Sequence, residues 1–424
     1  CMLLLFLLKV PVYISMALTG CALMMATSGM KWSILTQYLY TGTNSFTLLA
    51  VPLFILVGNL MDFGGISKRL TDWAKSILGW LPGGLGIVTV FSCAIFAALT
   101  GSGPATVAAI GSIMLPSMLK AGYSRETSAG LVASAGALGP IIPPSIPMII
   151  YGVTMNLSIP AMFMAGVVPG LVIALALSLV NVVFAYRNPE VLKHAKTMKF
   201  DFKESMKLFW KALGALGLPV LILGGIYGGI FTPTESAAVG IVYALILGFA
   251  LKELKVKDLP KILINSLKTS TMVNFIIAAA SLFSWVVSKS QIGIVISNAF
   301  ISFVGGSQAL YLFVLVVVLL IVGCLMDNVA ATLILAPILI PVGIALGCNE
   351  LHIGMLFCIC LVVGFVTPPF GYNLFTAVSI SGLNFKQIVK GALPFLLTEI
   401  LLLFVFAYVP GIITWLPRLM GYGY

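Results

Sequence analysis

Two proline-rich stretches, GALGPIIPPSIPMIIYG at 136–152 and VGFVTPPFGYNLF at 363–375, interrupt otherwise apolar segments of this chain. A Pro-Pro pair does not fit inside a regular helix, because proline has no backbone N–H and its ring clashes with the preceding turn. Each stretch therefore predicts a helix that breaks and starts again. A glycine and the proline pair recur in both stretches at a spacing of 225 residues: Gly139 with Gly364, and Pro143-Pro144 with Pro368-Pro369.

The same spacing extends upstream into two segments, 85–118 and 308–346, that predict helix–turn–helix hairpins with polar tips. The matched positions are Pro116 with Pro341, Gly122 with Gly347, and the tip Ser102-Gly103-Pro104 with Asp327-Asn328-Val329. Glycine and proline set backbone geometry, so their agreement predicts an internal repeat. Both residues are also frequent in membrane helices generally, which is the competing explanation. Breaks at matched positions in both halves favour the repeat.

The composition is that of a membrane protein. Of the 424 residues, 60% are hydrophobic and 8% are charged, whereas soluble domains carry about 25% charged residues. A bilayer-crossing helix needs about 20 apolar residues. The sequence predicts continuous spans at 2–28, 44–62, 160–186, 212–231, 235–251, 271–288 and 391–410, and proline-interrupted spans at 126–155 and 351–378. Segments 63–81 and 289–304 are amphipathic and predict helices along the membrane interface.

The net charge of +11 comes largely from two basic segments, 187–211 and 252–268. Basic loops between apolar helices mark the cytoplasmic side of a membrane and face its anionic lipids. We therefore expect the basic segments to face a lipid bilayer and not to bind nucleic acid. The seven cysteines form no C-x-x-C pair and there are two histidines, so neither a disulfide framework nor a transition-metal site is predicted.

The predicted spans also set the relative direction of the two repeats. Five crossings separate the two hairpins, and because five is odd, the second repeat is inverted relative to the first. Inverted repeats with broken helices are the architecture of secondary transporters, whose sites lie near the membrane midplane. The sequence thus predicts an all-α integral membrane protein, an inverted-repeat transporter with two re-entrant hairpins and two broken helices.

The breaks and tips together predict sodium sites. Each break leaves carbonyl groups without helical partners, and each tip adds side-chain oxygens, which suit a desolvated sodium ion. We expect one ion in each repeat, and so two or more Na+ in all. The predicted ligands are Ser102, Gly103, Thr106 and Gly139 in the first repeat, and Asp327, Asn328, Thr332, Gly364, Thr367 and Pro368 in the second.

The substrate is expected between the two tips. No Lys or Arg occupies the hairpins or the breaks, so an anionic substrate would be held by helix N-termini, hydroxyls, amides and bound sodium. The predicted substrate residues are Ser145, Thr154, Asn156, Tyr372 and Asn373. Each of them could equally form a hydrogen bond with a neighbouring helix.

Three acidic residues have different explanations. Asp327, at a tip within the membrane, is interpreted as a ligand in preference to a structural residue. Glu235, in the turn Thr232-Pro233-Thr234-Glu235, is explained by helix capping, with Thr234 as the expected N-cap. Glu399, within LLTEILLLF, could serve proton coupling, and a structural acid is at least as well supported.

Two other classes of protein fit less well. A membrane enzyme would need a nucleophile–base pair, a metal-ligand cluster or a phosphate-binding G-x-x-x-x-G-K-[ST] loop, and the sequence contains no such pattern. A channel would need a continuous pore, whereas paired breaks suit alternating access.

Four stretches carry a resemblance to a known family: GSGPATVAAIGSIMLPSMLKAGY (101–123), GALGPIIPPSIPMIIYG (136–152), GIYGGIFTPTESAAVG (225–240) and VGFVTPPFGYNLF (363–375). They resemble the large membrane (M) subunit of TRAP transporters, the tripartite ATP-independent periplasmic transporters. The resemblance covers nearly the whole chain, and its GPIIPPS and GIFTPTESAAVG segments are more specific than general membrane patterns.

The resemblance implies an elevator-type transporter in a bacterial inner membrane. It implies a small membrane (Q) subunit, a periplasmic substrate-binding protein (P subunit), and sodium-driven uptake of an organic acid such as a C4-dicarboxylate or sialic acid. The chain begins at Cys1, which is consistent with a small subunit fused upstream. The alternative is a stand-alone sodium/anion symporter or exchanger of the same architecture, which would need no binding protein.

The same resemblance implies a transport domain, made of hairpins and broken helices, that slides against a scaffold. Six segments follow: 1–84, scaffold helices and first interfacial arm; 85–159, first transport part; 160–270, linking and scaffold helices with basic loops; 271–307, scaffold helix and second arm; 308–390, second transport part; and 391–424, C-terminal helix.

Overall fold

A computed structural model of the chain describes residues 5, 10–28, 32–289 and 292–423. Within them the secondary structure is helical and no strand occurs. The α-helices in chain order are α1 Val12–Ser28, α2 Trp32–Thr43, α3 Ala50–Phe63, α4 Ile66–Leu78, α5 Gly84–Thr100, α6 Gly103–Lys120, α7 Arg125–Ala135, α8 Ile146–Met155, α9 Ile159–Tyr186, α10 Pro189–Thr197, α11 Phe202–Tyr227, α12 Pro233–Ala250, α13 Leu259–Lys289, α14 Ile292–Val304, α15 Gln308–Leu325, α16 Asn328–Ala345, α17 Glu350–Gly364, α18 Tyr372–Ser381, α19 Phe385–Tyr408 and α20 Gly411–Leu419. Short 3₁₀ helices occur at Thr47–Leu49, Gly136–Leu138 and Val256–Asp258.

Many of these helices have the length and composition of membrane spans. In the described part of the chain seven are long and apolar enough to cross a bilayer, or eight if α2 and residues 47–63, which meet at 61°, form one bent span. Helices α15 and α16 are both among the seven, although the sequence predicts that they form a re-entrant hairpin. Helix length alone does not distinguish a hairpin arm from a full crossing.

The two predicted hairpins and the two predicted breaks lie at the positions that the sequence indicates. A two-residue tip joins α5 to α6 at Gly101-Ser102, and another joins α15 to α16 at Met326-Asp327. The breaks separate α7 from α8 and α17 from α18. Both proline pairs, Pro143-Pro144 and Pro368-Pro369, contain a cis peptide bond.

The two repeats are interlocked. The short helix after each break packs against the hairpin of the other repeat, because α18 contacts α6 and α7 while α8 contacts α16. A second group of helices, α3, α11, α12 and α13, packs mainly within itself and with α1, α2 and α4. The hairpins and breaks therefore share one packed unit, and the remaining long helices surround it.

The structure corrects three boundaries. Residues 29–43 lie between the predicted spans 2–28 and 44–62, yet 32–43 form helix α2. The basic segment 187–211 contains α10 and the first turns of α11, and α13 begins at Leu259 inside the second basic segment. Lysine is a good helix former, so a charged extension continues a helix that a hydropathy pattern ends early.

Candidate functional site

The first tip lies against the first break. Gly101 has φ +59°, and a Cβ placed on it would lie 2.9 Å from the carbonyl oxygen of Pro144. A Cβ on Gly139 would lie 2.6 Å from the carbonyl oxygen of Ser102, closer than side-chain carbons approach. Glycine at both positions therefore allows a backbone contact between tip and break.

Several oxygen atoms surround this contact. The Ser102 carbonyl oxygen accepts hydrogen bonds from the Thr106 hydroxyl (2.8 Å) and the Thr106 backbone N–H (3.1 Å). The Ser102 hydroxyl lines a cavity and does not cap its own helix. Ser145 is fully buried; its hydroxyl donates to the Pro140 carbonyl oxygen at 2.5 Å and caps the start of α8.

Asn373 reaches this tip from the second repeat. It is fully buried, and its amide nitrogen donates to the carbonyl oxygen of Ala133 at 3.0 Å. A Cβ on Gly103 would lie 2.7 Å from the Asn373 amide oxygen, and that oxygen has no hydrogen-bond partner among the described residues. A buried acceptor without a partner costs about 1–3 kcal/mol, which a bound cation would offset.

Three helix N-termini meet at the first tip. Helix α6 begins at Gly103, α8 begins beside Gly101, and α18 begins one residue before Asn373. Each N-terminus carries unsatisfied N–H groups and the positive end of the helix dipole, which favours anions. The first tip thus combines cation-binding oxygens with a positive backbone field.

The second tip has buried polar side chains without partners. Asp327 caps α16, with its carboxylate accepting from the Val329 N–H at 2.8 Å. Asn328 is 2% exposed and Thr332 is fully buried, and neither the Asn328 amide nor the Thr332 hydroxyl has a hydrogen-bond partner in the described structure. Their i, i+4 spacing places both on one face of α16.

The second break meets its hairpin one turn before the tip. A Cβ on Gly364 would lie 2.5 Å from the carbonyl carbon of Gly323 and 2.9 Å from the Cys324 nitrogen. The Thr367 hydroxyl donates to the Val363 carbonyl oxygen at 3.0 Å, and the adjoining Pro368 is half-buried. The two repeats therefore share a glycine contact but not identical surroundings.

Two cavities flank the hairpins. One, of about 220 Å³, lies between the first hairpin, α3, α8 and α13, and Asn59, Asp62, Thr100, Ser102 and Thr269 supply its polar lining. The other, of about 180 Å³, lies farther along α13, where Thr154, Ser281 and Ser284 supply its polar lining. Both therefore separate hairpin or broken-helix residues from α13.

Residues 1–412 match the family profile described as "Tripartite ATP-independent periplasmic transporter, DctM component". The chain belongs to this family. It is a multi-pass inner-membrane permease component of a TRAP transporter, and the relatives it matches are transporter permeases rather than enzymes.

Named relatives align over nearly the whole chain. The C4-dicarboxylate TRAP transporter large permease protein DctM of Pseudomonas aeruginosa is 40% identical, over 96% of this chain and 94% of its own length. The sialic acid TRAP transporter large permease protein SiaM of Vibrio cholerae is 33% identical, over 97% and 96%. The isethionate TRAP transporter permease protein DctMQ of Oleidesulfovibrio alaskensis is 39% identical over 95% of this chain, which spans 63% of that longer protein.

A solved structure has a similar fold. The YdaH transporter of Alcanivorax borkumensis superposes with a TM-score of 0.62 and 12% sequence identity, covering 97% of this chain and 98% of that one. At this identity the likeness concerns the fold alone.

In this TRAP permease the predicted substrate residues do not form one group. Ser145 and Asn373 both lie at the first tip, and Tyr372 is 42% exposed with its ring 5.3 Å from that of Phe365. Thr154 and Asn156 lie at the other end of α8. Asn156 is exposed and ends α8 with φ +56°, so its position is explained by helix capping.

Four residues around the cavity of about 220 Å³ are missing from the sequence prediction: Asn59, Asp62, Thr100 and Thr269. Asn59 and Asp62 are polar residues within an otherwise apolar span, a signal that could have identified them. The Asn59 amide donates to the Ser266 hydroxyl at 2.8 Å, which joins α3 to α13 at the cavity wall.

Glu235 and Glu399 lie in different surroundings. Glu235 accepts from the Thr232 N–H at 2.9 Å in a capping box, so Thr232 rather than the predicted Thr234 is the N-cap. The Glu399 side chain is 1% exposed, and neither carboxyl oxygen has a hydrogen-bond partner in the described part of the chain.

Proposed function

We propose that this chain is the large permease of a sodium-driven uptake system for a small organic acid, working with a small membrane subunit and a periplasmic substrate-binding protein. The observation that carries the proposal is the pair of tips, where buried side chains present oxygens without hydrogen-bond partners: Asn373 at the first tip, and Asn328 with Thr332 at the second. Such oxygens suit desolvated sodium ions.

The charge pattern supports an anionic substrate. Segments 85–118, 136–146, 308–346 and 364–372 contain no Lys or Arg, so no side chain there would neutralise a carboxylate. Three helix N-termini at the first tip and a bound sodium ion supply the compensating positive field. Coupling follows, because the substrate site is favourable to an anion only when the cation is present.

The relatives indicate the chemical class of the substrate. The named proteins transport isethionate, C4-dicarboxylates, 2,3-diketo-L-gulonate or sialic acid, all of them organic acids. The cavity beside Ser102 measures about 220 Å³, below the range of about 300–1,000 Å³ typical for drug-sized ligands. This volume supports a compact acid such as a C4-dicarboxylate.

The packing supports an elevator mechanism. Hairpins and broken helices of both repeats interlock into one unit, and both cavities lie where this unit faces α13. Sliding of that unit along α13 would carry the ions and the acid between the two sides of the membrane, in the manner of alternating access.

The test is uptake into proteoliposomes that contain this chain and its small-subunit partner. Labelled succinate, isethionate and sialic acid are supplied in turn, with or without the binding protein and with or without an inward sodium gradient. We expect accumulation of one acid that requires both sodium and the binding protein. Accumulation with sodium alone would indicate a stand-alone symporter, and accumulation without sodium would overturn the coupling.

A further inference from the structure

Helix α11 is longer than the membrane requires. Its 26 residues extend about 39 Å at 1.5 Å per residue, whereas the hydrocarbon core is about 30 Å thick. Its first turns, from Phe202, carry lysines, and its apolar residues follow. The N-terminal turns therefore project from the hydrocarbon into the headgroup region of one leaflet.

One face of these turns is occupied by protein. The Ser205 hydroxyl forms a hydrogen bond of 2.8 Å with the Ser76 hydroxyl on α4. One turn later the ring of Phe209 packs 5.6 Å from that of Trp73, also on α4. Residues four apart share a helix face, so this face is fixed against α4.

The opposite face presents two parallel rows. The apolar row is Phe202, Met206 and Trp210, which are 68%, 40% and 66% exposed. The basic row is Lys203, Lys207 and Lys211, all exposed. The rows are offset by one residue, about 100° around the helix, so together they cover the free half of its circumference.

The three lysines are not neutralised by the protein. None of them forms an ion pair with a carboxylate among the described residues. Of the two acids beside them, Glu204 is exposed in the first turn of α11, and Asp201 accepts the backbone N–H groups that begin the helix. This face therefore presents three lysines, unpaired among the described residues, beside a large exposed tryptophan.

We propose that this face of α11 is a binding site for anionic phospholipid headgroups, with Lys203, Lys207 and Lys211 on the phosphates and the row of Phe202, Met206 and Trp210 at the boundary with the acyl chains. Lysines at a membrane surface attract anionic lipids, and tryptophan prefers the headgroup level. An acidic protein segment would match the charge but would leave the apolar row uncovered, so the lipid is favoured.

A second basic group provides a matched comparison. Lys252, Lys257 and Lys268 carry the same charge and are exposed, but they share no helix face, since Lys252 and Lys257 precede α13 and Lys268 lies within it. Removing these three charges changes the net charge equally and leaves the α11 site intact.

The test is quenching of tryptophan fluorescence by brominated lipids in nanodiscs. The signal of Trp210 is the difference between the wild type and Trp210→Phe, since the chain has six tryptophans. We expect brominated phosphatidylglycerol to reach half-maximal quenching of Trp210 at about tenfold lower mole fraction than brominated phosphatidylcholine. This preference for phosphatidylglycerol should disappear in the triple variant Lys203→Gln, Lys207→Gln and Lys211→Gln. It should persist in the control variant, in which Lys252, Lys257 and Lys268 are replaced by glutamine.

A second readout does not depend on tryptophan. Phosphatidylglycerol should raise the Tm of the wild type, because a ligand that binds the folded state stabilises it, and should not raise the Tm of the α11 triple variant. Glutamine keeps the helix propensity of lysine, and circular dichroism checks the fold. An undiminished lipid preference and Tm shift in the α11 variant would overturn the proposal. Equal losses of lipid preference in both triple variants would also overturn it, because they would show that the preference depends on net charge alone.

Discussion

The amide oxygen of Asn373, a residue of the second repeat, lies against Gly103 at the hairpin tip of the first repeat. A Cβ placed on Gly103 would lie 2.7 Å from this oxygen. The two halves of the chain therefore meet at one candidate ion site. Because the second repeat contributes the Asn373 amide oxygen to the first tip, a substitution at this tip in either repeat should alter sodium binding there.

Asn373→Ala should abolish sodium-driven uptake or raise the sodium concentration for half-maximal rate by about tenfold or more. The substitution removes the amide oxygen proposed as an ion ligand. It also leaves the Ala133 carbonyl oxygen without the Asn373 hydrogen bond, which costs about 1–3 kcal/mol. The measurement is the sodium dependence of initial uptake rate. Ser379→Ala, an exposed position on the same helix, should leave that dependence unchanged; a similar shift in both variants would contradict a role for Asn373.

At the second tip, Asn328→Ala should weaken the stabilisation of the fold by sodium. The buried Asn328 amide has no hydrogen-bond partner among the described residues, so the variant and the wild type should have the same Tm in choline chloride. In sodium chloride the wild type should gain Tm through ion binding at both tips, and the variant should gain less because the first tip alone still binds an ion. An equal gain in both proteins would exclude Asn328 from the ion site.

Ser102→Ala and Asp327→Ala should each abolish sodium-driven uptake while the protein still inserts and folds. Ser102 lines the cavity at the first tip and Asp327 caps α16 at the second. Uptake and detergent-solubilised size-exclusion profiles are measured together, with Ser112→Ala, exposed on the helix that follows Ser102, as the control. Wild-type sodium dependence in either variant would remove that residue from the proposed site.

Gly139→Ala tests the contact between tip and break. The added methyl group would lie 2.6 Å from the Ser102 carbonyl oxygen, so we expect a loss of about 1–3 kcal/mol in the free energy of unfolding and loss of uptake. Gly224→Ala is the matched control, because no atom lies within 4 Å of its added carbon. A Tm equal to that of the control would show that the contact is not close.

Backbone signals in the sequence were sufficient to predict most of this fold. Glycine and proline act locally, so Gly139, Gly364 and the two proline pairs located both breaks and both tips without knowledge of packing. Lysine-rich helix extensions were missed, because the transition from membrane to headgroup region changes side-chain polarity without ending the helix, as in α11.

The partners of side chains could not be read from the sequence. The sequence predicts Asn373 as a substrate residue but not its neighbours, and the interlocking of the repeats places it against Gly103 at the first tip. Thr154 and Asn156 follow Ser145 closely in sequence, yet a helix of ten residues separates them by about 15 Å. Such distances depend on which helices pack together, and the pattern of residue types along the sequence does not give that information.

Glu399→Gln should leave both fold and uptake intact. The carboxyl group is buried with no partner in the described part of the chain, and an ionised group in that position would be costly. Glutamine keeps the shape without a charge. Complete loss of uptake with an unchanged Tm would instead indicate that proton movement at Glu399 takes part in transport.

The interface between the interlocked unit and its surroundings can be tested by crosslinking. Asn59 on α3 and Ala105 on α6 both line the cavity of about 220 Å³. Cysteines at these positions, in a background lacking the native cysteines, should be bridged by a short bis-methanethiosulfonate, whose disulfide bonds to the two cysteines are cleaved by reduction. If the hairpin unit slides past α3, bridging should block uptake and reduction should restore it. Sodium with substrate should also change the bridging rate, because it shifts the population between the positions of the hairpin unit along α3.

A second pair, Asn59→Cys with Thr269→Cys, spans the same cavity between α3 and α13 and should be bridged without loss of uptake, since both helices belong to the surrounding group. Equal inhibition by the two bridges would contradict relative movement of the hairpin and favour a fixed pathway through the cavity.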